Sequence, residues 1–597
     1  MTAQEAYQKL CELIQRADRL KQEGYELDCK TMLGQLETDP SKKVAELTRR
    51  AHEITTSDEV GELLGICSGQ FPKDSIEAAN IQGLDEEYAR QRRLSPELVQ
   101  KLSLATAEVR KKRTDAVRDN DFSKLEEPLH TWLKAKRAEA SALGYTEHPY
   151  DAGLDRHVPG MTTERLLKLI DSLEPKLKTM RDKAIQSASP KHASAFFQQL
   201  NHPPEPQLEL ARQISFEFLG LNPKMTEIHS IKGGSGLYEI RPDKRCILLG
   251  IKNTSPSLLN TVATTFHEGG HALYRQGLNA EHYGLPTGDV ASSAMNEGIA
   301  RYFQLHVASQ LPFWKHIYSQ PELLETFPAL NKTSPEEIVA AMHQVKTEYQ
   351  RTKADPLTYA LIVISQTRVE IGLMDGSILP QDASAYYHAL LKTQGIEAPE
   401  NIQNGFFEPH LFHPDNGPGY RMAYGFADMI AAQLANSMAK DPSISQAKQH
   451  RADFRPEATW LQENVFCHGG RYDTDTLLQM ATGNPLDVEC YVQQLEQTFN
   501  IFTSPNASDA LLSQEQAPTL VNDLGAKKRR GHNARRRPIP LPMQRSVQAR
   551  QGEWLVTGFP VSWGDLYGGS SFRRSARVAR REQVASSQPR KSYREPE

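Results

Sequence analysis

The residues best suited to chemistry are His267, Glu268 and His271, which form an HExxH motif in the sequence HEGGH. Two histidines four residues apart lie on one face of a helix, one turn apart, so both imidazoles can reach one metal ion. Glu268 follows about 100° around the helix from His267, where it can take a proton from water at the metal and pass it to a leaving amine. The spacing therefore predicts two ligands and a general base, while two hydrogen-bonded core histidines are the alternative.

A site of this kind needs a third ligand. The pattern HExxHxxGxxH is absent, because Tyr274 and Gly277 stand where its glycine and third histidine would be. A glutamate on a following helix is the other common solution. Glu297 lies in the helical sequence NEGIA, 26 residues after His271, whereas Glu281 lies at the start of a loop. We therefore expect one divalent ion on two histidines and Glu297, with zinc favoured and cobalt or manganese as alternatives.

The elements that must position these residues are mainly helices. Ser255 and Pro256 are expected to open the helix that carries the motif, and Gly277 to close it. Two short strands are expected in a hairpin over residues 231–251, and residues 143–161 predict a long loop, after which Thr162 or Thr163 caps a helix. Apolar spacing of three and four residues predicts helices through most of residues 1–200 and at 291–310, 335–350, 355–373, 382–395, 420–438 and 485–499. These patterns predict an all-α fold with a small β-sheet.

Composition excludes several classes of protein. The chain has 597 residues, 39% of them hydrophobic and 24% charged. Its mean hydropathy is -0.56, and no apolar run reaches 18 residues, so no membrane-spanning helix is expected. The polar N-terminus does not resemble a signal peptide. Six scattered cysteines without a CxxC pair argue against a disulfide framework and a cysteine-built zinc site, and they favour a cytoplasmic location.

Charge divides the chain into two parts. Residues 526–597 carry 17 Lys and Arg against 5 Asp and Glu, whereas residues 1–525 carry a net charge of -16. We expect a folded domain at 1–502, a linker at 503–525 and a basic, disordered tail at 526–597. The runs 527–537 and 573–581 could bind nucleic acid or an anionic surface, although a solvated tail is the favoured interpretation.

The sequence around the motif resembles the M32 (Taq-type) metallocarboxypeptidases. The resemblance covers about residues 1–502 and begins with HEGGHALYRQGL, the following EHYG and Glu297. Further matches are HPYDA at 148–152 with the family's DPYDxLLDxYEPG, DKR at 243–245 with DxRxT, RTKAD at 351–355 with IRTEAD, and GYRMAY at 419–424 with GYFPTY.

The resemblance implies a helical fold with a deep cleft, a small sheet at the cleft wall and often a homodimer. It implies one divalent metal, usually zinc, on His267, His271 and Glu297, with Glu268 activating water. The implied reaction removes residues one at a time from the C-terminus of peptides.

The departures from the family pattern lie in the motifs around the substrate. HESQ is replaced by NEGI, GYFP by GYRM, and QDxHW by HLFHP, where His413 alone matches. A free C-terminal carboxylate calls for an arginine, and Arg351 and Arg245 match the family's motifs, with Arg421 as an extra or substitute. Ion pairs are the alternative role for each arginine. We expect the donor to the developing oxyanion among Tyr424, His413 and Tyr420. Tyr420 is also a candidate for binding the substrate. The alternative for both tyrosines is a place in the hydrophobic core.

Three functions follow from these residues. The first is a metallocarboxypeptidase with altered specificity. The second is a zinc peptidase of another kind, an aminopeptidase or endopeptidase, which NEGIA and the rewritten motifs suggest. The third is a metal-binding pseudoenzyme that acts as a scaffold. The intact set of His267, Glu268, His271 and Glu297 favours an enzyme.

Overall fold

The computed structural model describes residues 1–32, 41–187, 203–231, 236–241, 246–252, 257–345, 348–397, 417–451 and 453–503. Within these ranges the chain is mainly helical with one small sheet, which confirms the predicted fold class. The α-helices are α1 (Ala3–Met32), α2 (Ser41–Thr55), α3 (Asp58–Cys67), α4 (Ile76–Gln91), α5 (Pro96–Asp119), α6 (Ser123–Leu143), α7 (Asp151–His157), α8 (Thr163–Ser187), α9 (Pro204–Gln213), α10 (Leu258–Gly277), α11 (Ser293–Phe303), α12 (Leu311–Tyr318), α13 (Pro321–Thr326), α14 (Pro335–His343), α15 (Pro356–Asp375), α16 (Ala383–Thr393), α17 (Tyr420–Met438), α18 (Pro442–Arg451), α19 (Arg455–Asn464), α20 (Thr474–Thr482) and α21 (Val488–Thr503).

Shorter helical turns connect these elements. Two are π-helical, Ile214–Phe218 and Gln304–Ala308, and the second continues α11 directly. The 3₁₀ turns are Ala280–His282, Pro286–Gly288, Pro328–Lys332, Arg351–Lys353, Pro380–Asp382 and Phe466–Arg471.

The sheet has three strands, β1 (Thr226–Ile231), β2 (Gly236–Arg241) and β3 (Cys246–Lys252), in the order β1-β3-β2. β2 and β3 are antiparallel, as the predicted hairpin requires, with Leu237 opposite Leu249. β1 was not predicted. It pairs in parallel with β3, with Ile228 opposite Leu249, so its partner follows β2 in the chain and no local turn signal marks it.

Helix α10, which carries the HExxH motif, is largely buried and has a capping serine at its start and a glycine at its end. The side chain of Ser257 accepts a hydrogen bond from the backbone N–H of Asn260 and caps its start. The predicted cap residues Ser255 and Pro256 lie outside the described residues. The helix ends at Gly277, as expected.

Helix α11 crosses α10 and α17 at close range. Ser292 caps it by accepting from the N–H of Met295 at 3.0 Å. A Cβ on Gly270 of α10 would lie 2.8 Å from the Cα of Ala300 in α11, so glycine lets the two backbones approach. The two helices that carry the predicted ligands are thereby held against each other.

One predicted loop is partly helical. Residues 143–161 contain the short helix α7, which begins at Asp151. Gly153 belongs to the predicted loop but lies inside this helix. Glycine suits this position because a Cβ there would clash with the carbonyl oxygen of Pro418. The following helix α8 is capped by Thr162, whose hydroxyl accepts from the N–H of Arg165 at 3.2 Å, as expected.

Most of the described helices share one apolar core. A smaller cluster lies among α1, α3 and α4, where Leu10, Val60 and Ile81 are buried. Leu285, from the segment after α10, packs into that cluster, so the N-terminal helices pack against the segment that follows the motif helix. Among the described helices, α15 alone is long and apolar enough to cross a membrane, and 94% of its apolar 18-residue stretch is buried inside the protein.

Candidate active site

The three predicted metal ligands converge in the structure. Nε2 of His267 lies 3.6 Å from Oε2 of Glu297, and Nε2 of His271 lies 3.8 Å from the same oxygen. One ligand atom from each residue falls within 4.8 Å of the others. Ligands about 2.0–2.1 Å from one tetrahedral ion are separated by roughly 3.4 Å, so this spacing suits a single small cation.

The electrostatics of the cluster also suit a cation. Burial holds the pKa of His267 well below its usual range, and the nearby His271 and Arg301 act in the same direction. Burial raises the pKa of Glu297 to about 7, although the Tyr420 hydrogen bond and the Arg351 charge oppose that rise. The neutral imidazole of His267 and the buried carboxylate of Glu297 can both donate to a divalent ion, whose positive charge would compensate the burial of the carboxylate.

Tyr420 holds one of these ligands. Its hydroxyl donates a hydrogen bond to Oε1 of Glu297 at 3.1 Å, which leaves Oε2 directed at the two histidines. The ring of His157 packs edge-on against Tyr420, with 5.1 Å between centroids. This contact gives Tyr420 a positioning role at Glu297; the substrate-binding role predicted for it stays a prediction.

Glu268 is buried and lies between the histidines in the sequence of α10. Helical geometry directs its side chain about 100° away from that of His267. Its carboxylate is carried by the same helix as two predicted ligands, and the role of general base stays a prediction for it. The structure therefore brings the three predicted ligands together and places Glu268 on the same helix as two of them.

Arg351 is a buried cation close to this cluster. Its Nη1 donates to the hydroxyl of Tyr359 at 2.7 Å, and its guanidinium lies 4.3 Å from the ring centroid of Tyr424. The charge of Arg351 lowers the pKa of Glu297, so the two groups interact. Arg351 and Tyr424, two of the predicted site residues, thus lie together beside the ligands.

Arg421 occupies a different environment. It follows Tyr420 by one residue, so its side chain leaves α17 about 100° away from the face shared by Tyr420 and Tyr424. It is buried, and its charge acts on Glu370, whose Oε2 accepts hydrogen bonds from the hydroxyl of Tyr150 and the N–H of Gly419. In the structure, Arg421 therefore interacts electrostatically with Glu370.

Two predicted residues lie outside the described part of the chain. They are Arg245, a substrate-binding candidate, and His413, a catalytic candidate. Both roles stay predictions.

Sequence reasoning missed a set of residues behind His267. Nδ1 of His267 lies 3.1 Å from Oε1 of Gln304, which also accepts from Nη1 of Arg301 at 2.9 Å. Arg301 in turn binds the carboxylate of Asp428. Glu297, Arg301 and Gln304 stand at positions i, i+4 and i+7, so one face of α11 carries them, and this spacing was the available signal.

A mainly helical fold with a largely buried His-His-Glu cluster and a glutamate inside an HExxH motif defines a metallopeptidase. The family model described as carboxypeptidase Taq (M32) metallopeptidase matches residues 7–499. The chain belongs to this M32 family, as its motifs led us to expect. It is a hydrolase acting on peptides, a metal-dependent carboxypeptidase that uses a divalent ion.

Known proteins from several organisms are similar to the chain. Thermostable carboxypeptidase 1 of Thermus thermophilus is 26% identical over 516 residues, which are 84% of this chain and 99% of that protein. Thermostable carboxypeptidase 1 of Pyrococcus furiosus is 25% identical over 466 residues, 76% of this chain and 90% of that protein. The crystal structure of an M32 carboxypeptidase from Deinococcus radiodurans R1 superposes with a TM-score of 0.75 at 23% identity, covering 84% of this chain and 99% of that one, and it supports the fold alone.

Proposed function

We propose that this carboxypeptidase holds zinc on His267, His271 and Glu297 and uses Glu268 as the general base that starts peptide hydrolysis. The observation that carries the proposal is the convergence of Nε2 of both histidines on Oε2 of Glu297, at 3.6 and 3.8 Å. When bound, a zinc ion would act as a Lewis acid, which would polarise the scissile carbonyl and make water more acidic. Two imidazoles and one carboxylate form a common zinc donor set, while cobalt or manganese remain alternative ions.

Glu268 performs the proton transfers in this proposal. Its carboxylate accepts a proton from the attacking water and then delivers it to the leaving amine, so the side chain is regenerated at the end of each cycle. Burial excludes bulk water from around the carboxylate and makes its electrostatic effect larger than at the surface. The rigid helix α10 fixes Glu268 relative to His267 and His271, which also supports this role.

Arg351 binds the free C-terminal carboxylate of the substrate in this proposal. A guanidinium offers paired N–H donors that match the two oxygens of a carboxylate. Tyr359 accepts from Arg351 and Tyr424 lies under the guanidinium plane, so both hold the fork in one orientation. Tyr424 is also our proposed donor to the oxyanion. Arg421 interacts with Glu370, so it is a weaker candidate than Arg351 for contact with the substrate.

Cellular context is part of the same proposal. Four cysteines of the described residues are free thiols, which supports a reducing, cytoplasmic location; they are Cys11, Cys67, Cys467 and Cys490. The resemblance to the family is the support for a homodimer, and light scattering of the purified protein would measure its mass. The substrates are peptides with a free C-terminus.

Product mass spectrometry tests the proposal. Peptides blocked at the N-terminus are incubated with the zinc-loaded protein, with the chelator-treated protein, and with chelated protein to which zinc, cobalt or manganese is returned. We expect a ladder of products shortened from the C-terminus that disappears on chelation and returns most strongly with zinc. Internal cleavage, or trimming only of peptides with a free N-terminus, would indicate the other peptidase classes. Absence of any product from a metal-loaded protein would indicate a pseudoenzyme.

A further inference from the structure

The oxygen of the Gln304 side chain receives two contacts that determine its role. Oε1 lies 3.1 Å from Nδ1 of His267 and 2.9 Å from Nη1 of Arg301. A guanidinium has only donors, so the atom of Gln304 that faces Arg301 must be the amide oxygen. The same oxygen faces His267, and the ring nitrogen that meets it must therefore carry the proton.

This proton fixes which nitrogen of His267 is left for a metal. With Nδ1 protonated, the lone pair of the neutral ring is on Nε2, the atom that lies 3.6 Å from Oε2 of Glu297. A contact to a carbonyl-type oxygen also fixes the rotation of the ring. Gln304 therefore selects both the tautomer and the direction of this ligand.

A buried ion pair holds Gln304 in place. Arg301 binds both carboxylate oxygens of Asp428, at 2.5 and 3.0 Å, and its guanidinium lies 4.4 Å from the ring centroid of Tyr359. Asp428 and Arg301 are both almost fully buried, so their charges compensate each other away from solvent. The π-helical turn Gln304–Ala308 begins at this residue, directly after α11.

We propose that Gln304, held by Arg301 and Asp428, is a positioning residue that fixes His267 as a ligand and thereby sets the affinity of the site for its metal. The proposal rests on the function proposed above, because it takes His267 to be a ligand. Gln304 is an uncharged acceptor, and a carboxylate at this position would make the imidazole a stronger ligand.

Zinc affinity of the full-length protein tests this role. The chelator-stripped protein is titrated with zinc against a competing chromophoric chelator, for the parent and for Gln304→Leu, Gln304→Glu and His267→Ala. We expect Gln304→Leu to weaken zinc binding by about 10–100-fold, because the ring loses its acceptor. Gln304→Glu restores an acceptor and adds negative charge, so it binds zinc at least as tightly as the parent.

Gln433, a buried glutamine on α17, provides the control. Gln433 donates to the hydroxyl of Thr482 and the carbonyl of Asn484 and accepts from the N–H of Asp487. Gln433→Leu removes a comparable set of hydrogen bonds, so it is expected to lower the unfolding temperature of the metal-free protein and to leave zinc affinity unchanged.

Two results would overturn the inference, and a third separates its failure from that of the proposed function. Zinc affinity of Gln304→Leu within about twofold of the parent excludes the positioning role, since loss of an outer partner typically costs tenfold or more. Equal weakening in Gln304→Leu and Gln304→Glu would indicate a packing role. If His267→Ala itself binds zinc as the parent does, the proposed metal site is wrong and the inference falls with it.

Discussion

At the scale of single residues, the centre combines groups whose preferred charge states are changed by burial. His267 is kept neutral and Glu297 lacks enough positive charge around it, while Arg351 remains a cation beside them. The lowered pKa of His267 leaves its imidazole free of a competing proton, whereas the raised pKa of Glu297 means that a proton competes with the metal at this carboxylate below about pH 7. Metal affinity should consequently fall as the pH is lowered and the ligands become protonated.

Arg351→Lys tests the proposed recognition of the substrate carboxylate. Lysine keeps the charge but loses the paired donors and the planar contact with Tyr424, so KM should rise by roughly 10–100-fold for peptides with a free C-terminus. The preference for a free acid over a C-terminal amide should shrink at the same time. Steady-state kinetics on acid and amide pairs measures both effects.

The control is Arg368→Lys, because Arg368 binds Asp171 and Glu174 instead. An unchanged acid preference in Arg351→Lys would contradict the assignment.

Glu370 gives a prediction for pH. Burial raises its pKa to about 7 from the ordinary 4.5, against the opposing effects of Arg421 and Tyr150. The folded state therefore binds more protons than the unfolded state between these pH values, and the carboxyl's contribution to stability is lost as the pH rises through the folded pKa. The unfolding free energy of Glu370→Gln minus that of the parent should therefore increase by up to ~3 kcal/mol between pH 4.5 and pH 8. Denaturant unfolding of both metal-free proteins across this range measures the difference, and a difference independent of pH would contradict it.

At the scale of elements, the close crossing of α10 and α11 joins two ligands from one helix to the third from another. Gly270 permits that crossing, because its missing Cβ would lie 2.8 Å from the Cα of Ala300 and 3.1 Å from the carbonyl of Ile299. Backbone atoms are not displaced by a rotamer change, so a side chain there must separate the helices.

Gly270→Ala should therefore lower the stability of the protein by about 1–3 kcal/mol, despite the higher helix propensity of alanine. It should also weaken zinc binding, since His271 and Glu297 move apart. Thermal unfolding and metal titration measure the two effects. The matched control is Gly65→Ala in α3, where a Cβ meets nothing within 4 Å and alanine should stabilise by up to about 1 kcal/mol. Equal stability changes at the two glycines would contradict the role of the crossing.

Elements and residues that depend on local sequence could be predicted. Apolar spacing predicted most of the described helices, although the helix expected at 335–350 ends at His343, and the four-residue interval predicted the pairing of His267 and His271. β1 could not be predicted because it pairs with a strand that is not its neighbour in the chain. The contact of Arg301 with Asp428 joins residues 127 positions apart, so no local pattern contains it. The place of Arg421 also required the structure, because the motif comparison does not state which face of α17 packs against Glu370.

At the scale of the whole molecule, the predicted basic tail follows the catalytic part of the chain. The family model ends at residue 499, and the described helices end at Thr503. A chain that ends at Thr503 should keep one metal ion and the parent rate of peptide trimming, because every residue of the described centre lies before that point. Metal analysis and kinetics of the truncated protein check this, and a loss of activity with metal retained would assign the tail a part in catalysis.

The tail is positively charged, whereas residues 1–525 carry a net negative charge. Residues 526–597 have a net charge of +12, so any binding of nucleic acid should weaken steeply with salt and disappear in the truncated protein. Binding that persists after truncation would place the responsible surface elsewhere.

The most direct measurement of the central claim is the trimming rate of Glu268→Gln determined together with its zinc content. Glutamine keeps the size of the side chain and removes its ability to accept a proton. We predict one zinc ion per chain, as in the parent, and a rate of C-terminal release lower by about 10²–10⁴-fold, the usual contribution of a general base. A rate close to that of the parent, with zinc bound, would contradict the assignment of Glu268 as the base.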